Sequence, residues 1–227
     1  MRTLLSLIAI SLALAAAGCI FDPPPEPEPP PPQPLPGRDT PENAIKRFIG
    51  LYAAKDIVEY EKMFTGDFTF EFSNSADPEL VMKYALGWFK ADETASAQNL
   101  FQGGVTSEGF PVSAARSVDL TLTPTVPVDD NGPTRDPELY KVLLASVNLR
   151  VDLGYDITYI VGEAPPQSSR FFLVRGDGAV GLGADQPADA NHWYVWNWRD
   201  ESPPLKPSFE PEQSEPTTWG RLKDEYR

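Results

Sequence analysis

Residues 40–73 read TPENAIKRFIGLYAAKDIVEYEKMFTGDFTFEFS, and this stretch sets the fold class. Thr40 is an N-cap type of residue, Pro41 stands where a first-turn proline loses no hydrogen bond, and Glu42 places a carboxylate at the positive end of the helix dipole. Ala44, Ile45, Phe48, Ile49, Leu51 and Tyr52 recur at helical spacing, with Lys46 and Arg47 on the other side. Lys55-Asp56 interrupts that pattern. Asp56 followed by Glu59 has the spacing of a capping box and predicts a second, short helix carrying Ile57, Tyr60, Met63 and Phe64. From Asp67 to Phe72 the apolar period drops to two, as expected of a strand with one buried face.

Working downstream, Asp77-Pro78-Glu79 is another helix start, and Asp92 to Phe101 predicts a helix stopped by Gly103-Gly104. Extended segments dominate from there. Val118 to Val126 is one candidate strand. Val147, Leu149, Val151 and Leu153 alternate with Asn148, Arg150 and Asp152 in another, and residues 170–175 and 193–199 supply the last two. Helices first and strands later describe an α+β domain, with N-terminal helices packed on one face of a mixed or antiparallel sheet. It is expected to span residues 40–201, about 160 residues, enough to bury a core.

Two further pieces, RFFLVRGDG at 170–178 and the tryptophan-rich WYVWNWRD at 193–200, join the opening stretch in a resemblance. Together they are similar to the nuclear transport factor two-like domains, also called SnoaL-like or cystatin-like, in which helices fill the concave face of a strongly curved, cone-shaped sheet. Residues 73–140 match only in order of elements. The resemblance implies fold more than function, since this fold hosts isomerases, dehydratases, transport factors and inert domains. Its best-understood chemistry, that of ketosteroid isomerase, needs a tyrosine in the first helix, a carboxylate base ending the first strand and a protonated acid on a later strand. Those positions hold Phe48, Phe72 and Arg170, so that activity is not expected and no catalytic residue is assigned.

Upstream, the segment from Pro23 to Pro36 is proline broken only by Glu26, Glu28, Gln33 and Leu35. Proline removes the amide donor and fixes φ, so the segment is expected to be polyproline II, a stalk of roughly 40 Å. Its acidic residues suit a solvated spacer better than a ligand for an SH3-like partner. Before it, Met1-Arg2 and the apolar run from Leu4 to Ala17 suit a secretory signal and are too short to cross a ~30 Å hydrocarbon core. Ala16-Ala17-Gly18-Cys19 resembles the lipobox of bacterial lipoproteins, with Ala16 where leucine is usual. The resemblance implies removal of residues 1–18, lipid (diacylglycerol and palmitate-type acyl) attachment at Cys19, a spacer over 19–39, and a place in the bacterial cell envelope. Ile20 rather than Asp after the cysteine points to the outer membrane. Cys19 is the sole cysteine, so no intrachain disulfide can form.

The formal charge of −14 argues against nucleic-acid partners and against electrostatic adhesion to anionic lipid. The single histidine, His192, has no evident orienting partner beside it and reads as a surface residue. One His and one lipid-bound Cys exclude a zinc site of the usual type, and Asp129-Asp130-Asn131-Gly132 lacks the ligand spacing of a calcium loop. Gly176-Asp177-Gly178 and Gly181-x-Gly183 lack the helix that a phosphate loop needs, so no metal or cofactor is expected. On strict alternation, Tyr194, Trp196 and Trp198 share one strand face with His192, while Trp193, Val195 and Asn197 share the other. A pocket between sheet and helices would draw on Tyr52, Tyr60, Trp88, His192, Tyr194, Trp196 and Trp198; the same residues would otherwise fill it as core. The tail, 202–227, is proline-rich and acidic until Trp219, Leu222 and Tyr226, an amphipathic segment expected to dock back on the domain or to meet a partner. The function these features favour is a membrane-anchored extracytoplasmic lipoprotein with a non-catalytic domain that binds an apolar small molecule or an envelope protein. An isomerase- or dehydratase-type enzyme with relocated acids and a purely structural envelope accessory are the alternatives.

Overall fold

The computed structural model describes residues 34–130, 132, 134–154, 157–162, 166–204 and 214–227; Cys19 and all but the end of the proline-rich spacer lie outside the described residues. Leu35 to Arg227 form one compact unit. Helices α1 (Pro41–Ala54) and α2 (Ile57–Glu61) lead into strand β1 (Phe64–Glu71), followed by α3 (Pro78–Lys83), β2 (Trp88–Phe89) and α4 (Lys90–Gln102). A separate hairpin, β3 (Gly104–Val105) and β4 (Pro111–Val112), precedes β5 (Ser117–Pro124), β6 (Val128–Asp129), β7 (Tyr140–Gly154), β8 (Ile157–Val161), β9 (Gln167–Arg175), β10 (Trp193–Asp200), β11 (Ser214–Pro216) and α5 (Trp219–Tyr226).

The caps expected from the sequence form. The Thr40 hydroxyl accepts from the Asn43 N–H and the Asp56 carboxylate from the Glu59 N–H, each at 3.1 Å. α1 stops at Lys55, which takes φ 55° and donates its N–H back to Tyr52 and Leu51. α4 starts two residues before Asp92, because the Asp92 carboxylate reaches back to the Phe89 N–H at 2.9 Å.

Among the described residues, nine strands make one mixed sheet in the order β11-β8-β7-β9-β10-β1-β2, with β5 and β6 pairing the other edge of β7. β1 lies parallel to β10 and β11 parallel to β8; the remaining pairs are antiparallel. The molecule is therefore α+β. Leu143, Ala145, Val147, Leu149 and Val151 of β7 all face the core while Leu144, Ser146, Asn148 and Arg150 face outward, the period-two pattern read from sequence. α1 covers the inner face, with Phe48 buried against Phe171 of β9 and Trp198 of β10.

The alternation expected along β10 fails at one point. Val195 pairs Leu173 and Asn197 pairs Phe172, so Trp196 is an extra residue in a β-bulge. A bulge shifts the face of everything after it by one. Trp193, Val195 and Trp198 consequently share the core face, while Trp196 lies outside against Arg135 (4.2 Å), Phe172 (5.6 Å) and Tyr140 (6.3 Å).

The C-terminal segment forms α5. It docks on the inner side of the sheet, and Trp219, Leu222 and Tyr226 are core residues. Burial of each is worth on the order of 2 kcal/mol, which holds a helix too short to persist alone. No helix among the described residues is long and apolar enough to cross a membrane.

Candidate functional site

The chamber between sheet and helices is aromatic. Phe48 of α1 contacts the rings of Tyr52, Tyr60, Phe64, Phe171 and Trp198 at centroid distances of 5.3–6.3 Å. Trp219 of α5 closes it, edge-on to Trp198 at 4.4 Å and to Tyr52 at 5.8 Å.

Within these rings sits one ion pair. Glu93 of α4 and Lys223 of α5 are 1% and 3% exposed, and the Lys223 Nζ donates to Glu93 Oε2. The carboxylate has two further donors: Tyr60 Oη at 2.7 Å to Oε1 and Trp88 Nε1 at 3.1 Å to Oε2. The ammonium lies 4.0 Å from the centroid of Trp198, 4.7 Å from Phe70 and 6.0 Å from Trp219, within reach of cation–π attraction to each. Burial lowers the Lys223 pKa from the ordinary ammonium range, and the Glu93 charge opposes that shift. Burial, with the same carboxylate nearby, raises the phenols of Tyr52 and Tyr60 well above theirs. Desolvating an ion pair is expensive unless its remaining valences are met, and Tyr60 and Trp88 meet those of Glu93. A carboxylate already holding three donors is arranged to retain a cation.

α5 is fixed at both ends around that pair. At its start the Thr218 hydroxyl donates to the buried Asp77 at 2.5 Å and accepts the Arg221 N–H at 3.0 Å, while the Arg221 guanidinium binds Asp77 at 2.6 Å. Along its length Ser96 donates to the Lys223 carbonyl at 2.9 Å and Asn99 to the Tyr226 carbonyl at 2.9 Å. At its end Arg227 pairs with Asp92 at 2.7 Å. A second buried network, Asp200-Ser202-Gln167, ties the end of β10 to the start of α5 through the Gln167 amide, which donates to the Thr217 carbonyl at 2.9 Å.

Of the residues expected to line a pocket, Tyr52, Tyr60, Trp88 and Trp198 converge here, all buried. Tyr194 turns away to donate to the Pro187 carbonyl at 2.8 Å under the Arg38 guanidinium, and Trp196 lies on the outer face. His192 is partly exposed, and its Nδ1 is 2.7 Å from Asp189 Oδ1. It does have an orienting partner three residues earlier, contrary to the expectation from sequence, but it stands apart from the chamber. Phe48 and Phe72 are buried core rings, and Arg170 pairs with Glu201 at 2.9 Å. Glu93 and Lys223 were missed. The available signal was position: Glu93 stands four and seven residues before Ala97 and Leu100 on the buried side of α4, and Lys223 stands between Trp219 and Tyr226 at helical spacing. A charge on an apolar stripe is a buried charge with a partner.

Outside the chamber, an open groove of about 360 Å³ runs between α3, the β3–β4 hairpin and α5, lined in part by Tyr84, Glu108, Phe110 and Arg227. Among the described residues no cluster of three or more His, Cys, Asp or Glu is placed to hold a metal ion.

No protein-family model matches the chain, and no curated protein matches it significantly. Solved structures do. A provisionally named scytalone dehydratase from Novosphingobium aromaticivorans is 8% identical, with a TM-score of 0.42 over 75% of this chain and 92% of its own. An NTF2-like protein of unknown function in nutrient uptake from Rhodospirillum rubrum is 12% identical, with a TM-score of 0.40 over 72% and 98%. A cystatin-like domain of unknown function from Nostoc punctiforme is 13% identical, with a TM-score of 0.38 over 74% and 78%. None of these likenesses assigns an activity to this chain.

Proposed function

We propose that this protein is a lipid-anchored lipoprotein of the bacterial cell envelope, probed outward on its proline stalk, whose folded head is a non-catalytic binding domain. The observation that supports a binding rather than a catalytic head is the state of Glu93: the carboxylate is buried among rings and holds Tyr60, Trp88 and Lys223 as donors. Phenylalanine at positions 48 and 72, where the isomerase chemistry of this fold would need a donor and a base, points the same way. The anchor rests on Ala16-Ala17-Gly18-Cys19 and the spacer on the prolines that follow. Two acyl chains suffice for stable attachment, since each buried methylene contributes ~0.8 kcal/mol.

Fractionation tests the anchor. Wild-type protein expressed from its own leader is expected to take up labelled palmitate and sediment with membranes, and Cys19→Ala to do neither. Continued sedimentation of the alanine variant, with no label in the wild type, removes the lipoprotein reading. For the head, a bound apolar ligand or envelope protein raises the melting temperature of the full chain and shifts its tryptophan emission. A broad ligand screen that moves neither signal leaves only the protein-partner form of the proposal.

A further inference from the structure

The chamber holds the elements of a cation site, and all but one of them belong to the body of the domain. Glu93 is oriented by Tyr60 and Trp88, neither of which is on α5. The Trp198 and Phe70 rings that face the ammonium come from β10 and β1. What α5 contributes is the occupant: the ammonium of Lys223, with the indole of Trp219 6.0 Å from it on the same helix face. We propose that this chamber is a recognition site for an aryl-alkyl ammonium ligand, and that α5 is its tethered internal occupant, with Lys223 in the ammonium position and Trp219 in the aryl position. The inference deepens the binding-domain reading given above and rests on it.

Three observations carry it. The first concerns what a purely structural plug would need. Apolar residues of similar volume often replace a buried ion pair at little or no cost in stability, so filling this core does not by itself require the Glu93–Lys223 pair. The second is the ring geometry. Trp198 and Phe70 at 4.0 and 4.7 Å flank the cation on the body side, and Trp198 and Tyr52 flank the indole at 4.4 and 5.8 Å, so both halves of the occupant have prepared aromatic walls. The third is an unspent donor. Trp198 is fully buried, yet its Nε1 finds no acceptor in the structure. The internal occupant leaves that valence empty, so α5 does not satisfy every polar group that faces it.

Discrimination follows from the carboxylate. A neutral molecule of the same shape would leave Glu93 buried without its cation, so the amine is preferred over its isosteric alcohol. A ligand need displace only the Lys223 and Trp219 side chains, which α5 presents at an effective concentration on the order of millimolar while Leu222 and Tyr226 keep the helix in the core.

The test uses the full-length chain, 2-phenylethylammonium as probe and 2-phenylethanol as the neutral control, read by melting temperature and tryptophan fluorescence. The Trp219→Ala/Lys223→Ala variant vacates both positions. It is expected to bind the amine saturably, to bind the alcohol at least roughly tenfold more weakly, and to lose that preference when Glu93→Gln is added. Should the double variant not fold, Thr218→Ala/Arg221→Ala carries the test: it leaves the cage whole, loosens the docking of α5, and is expected to bind the amine at least roughly tenfold more tightly than wild type. Equal binding of amine and alcohol, a preference that survives Glu93→Gln, or no amine binding by any variant that folds overturns the assignment. Chemical conversion of the bound amine would overturn the non-catalytic reading while supporting the ligand class, which keeps the two failures distinguishable.

Discussion

Asp200 illustrates how a single residue's protonation follows from counting hydrogens. The Ser202 hydroxyl lies 2.9 Å from Gln167 Oε1 and 2.5 Å from Asp200 Oδ1, and one hydroxyl proton cannot serve both. The Gln167 amide nitrogen is committed to the Thr217 carbonyl, so Gln167 Oε1 accepts; a proton on Asp200 makes both contacts hydrogen bonds, while the Ser202 N–H, 2.9 Å from the same Oδ1, favours the carboxylate. Burial pushes the Asp200 carboxyl up from its usual range, outweighing the hydrogen bonds from Ser202 that pull it down, and Asp77 nearby adds to the rise. The sign for stability is then fixed. Below about pH 3.9 the acid is protonated folded and unfolded, and its contribution is fully present; as pH rises toward and through the folded pKa that contribution is lost. Asp200→Asn, which stays neutral, is expected to gain stability relative to wild type as pH climbs from the acid range to neutrality. Urea melts across that range check it, and a difference that does not vary with pH would remove the protonated-Asp200 assignment.

At the scale of elements, two glycines that look alike in sequence do different work. Gly162, just after β8, has φ +95°, and a Cβ there would lie 1.8 Å from the Val147 carbonyl oxygen. Gly154, at the end of β7, has φ +74° and nothing within 4 Å. Gly162→Ala must push β8 off β7 as well as strain its own backbone, and is expected to cost about 3 kcal/mol or more. Gly154→Ala pays only the left-handed conformation, about 1 kcal/mol. Denaturant midpoints of the two variants test the contrast; equal losses would mean that close strand approach is not what Gly162 serves. The β10 bulge makes a related point. Alternation placed Trp198 on the same face as Trp196, and a single inserted residue reversed it, because period-two patterns carry no mark of where a strand gains a residue. Caps are different. Thr40 and Asp56 were legible because their partners lie three residues away, inside the reach of local sequence.

For the molecule as a whole, the C-terminal helix decides how the domain is closed. Trp219, Leu222 and Tyr226 each bury about 2 kcal/mol of side chain, and their sum is a large part of a typical stability of about 5–15 kcal/mol. A chain ending before Thr218 is therefore expected to lose fixed tertiary packing while keeping much of its secondary structure and binding a hydrophobic dye. Near-UV circular dichroism identical to that of the full chain would show instead that the body closes without α5.

The sequence by itself determined the local terms: where helices start, which segments are extended, the α+β class and the apolar faces of β5 and β7. Each of these depends on residues within a few positions of one another, or on a period that runs unbroken. Only the tertiary structure decided that Glu93 and Lys223 meet, 130 positions apart, and that Tyr52, Tyr60, Trp88 and Trp198 share a chamber from which His192, Tyr194 and Trp196 are excluded. A buried charge is stable only with its partner, and the identity of that partner is a property of the folded chain.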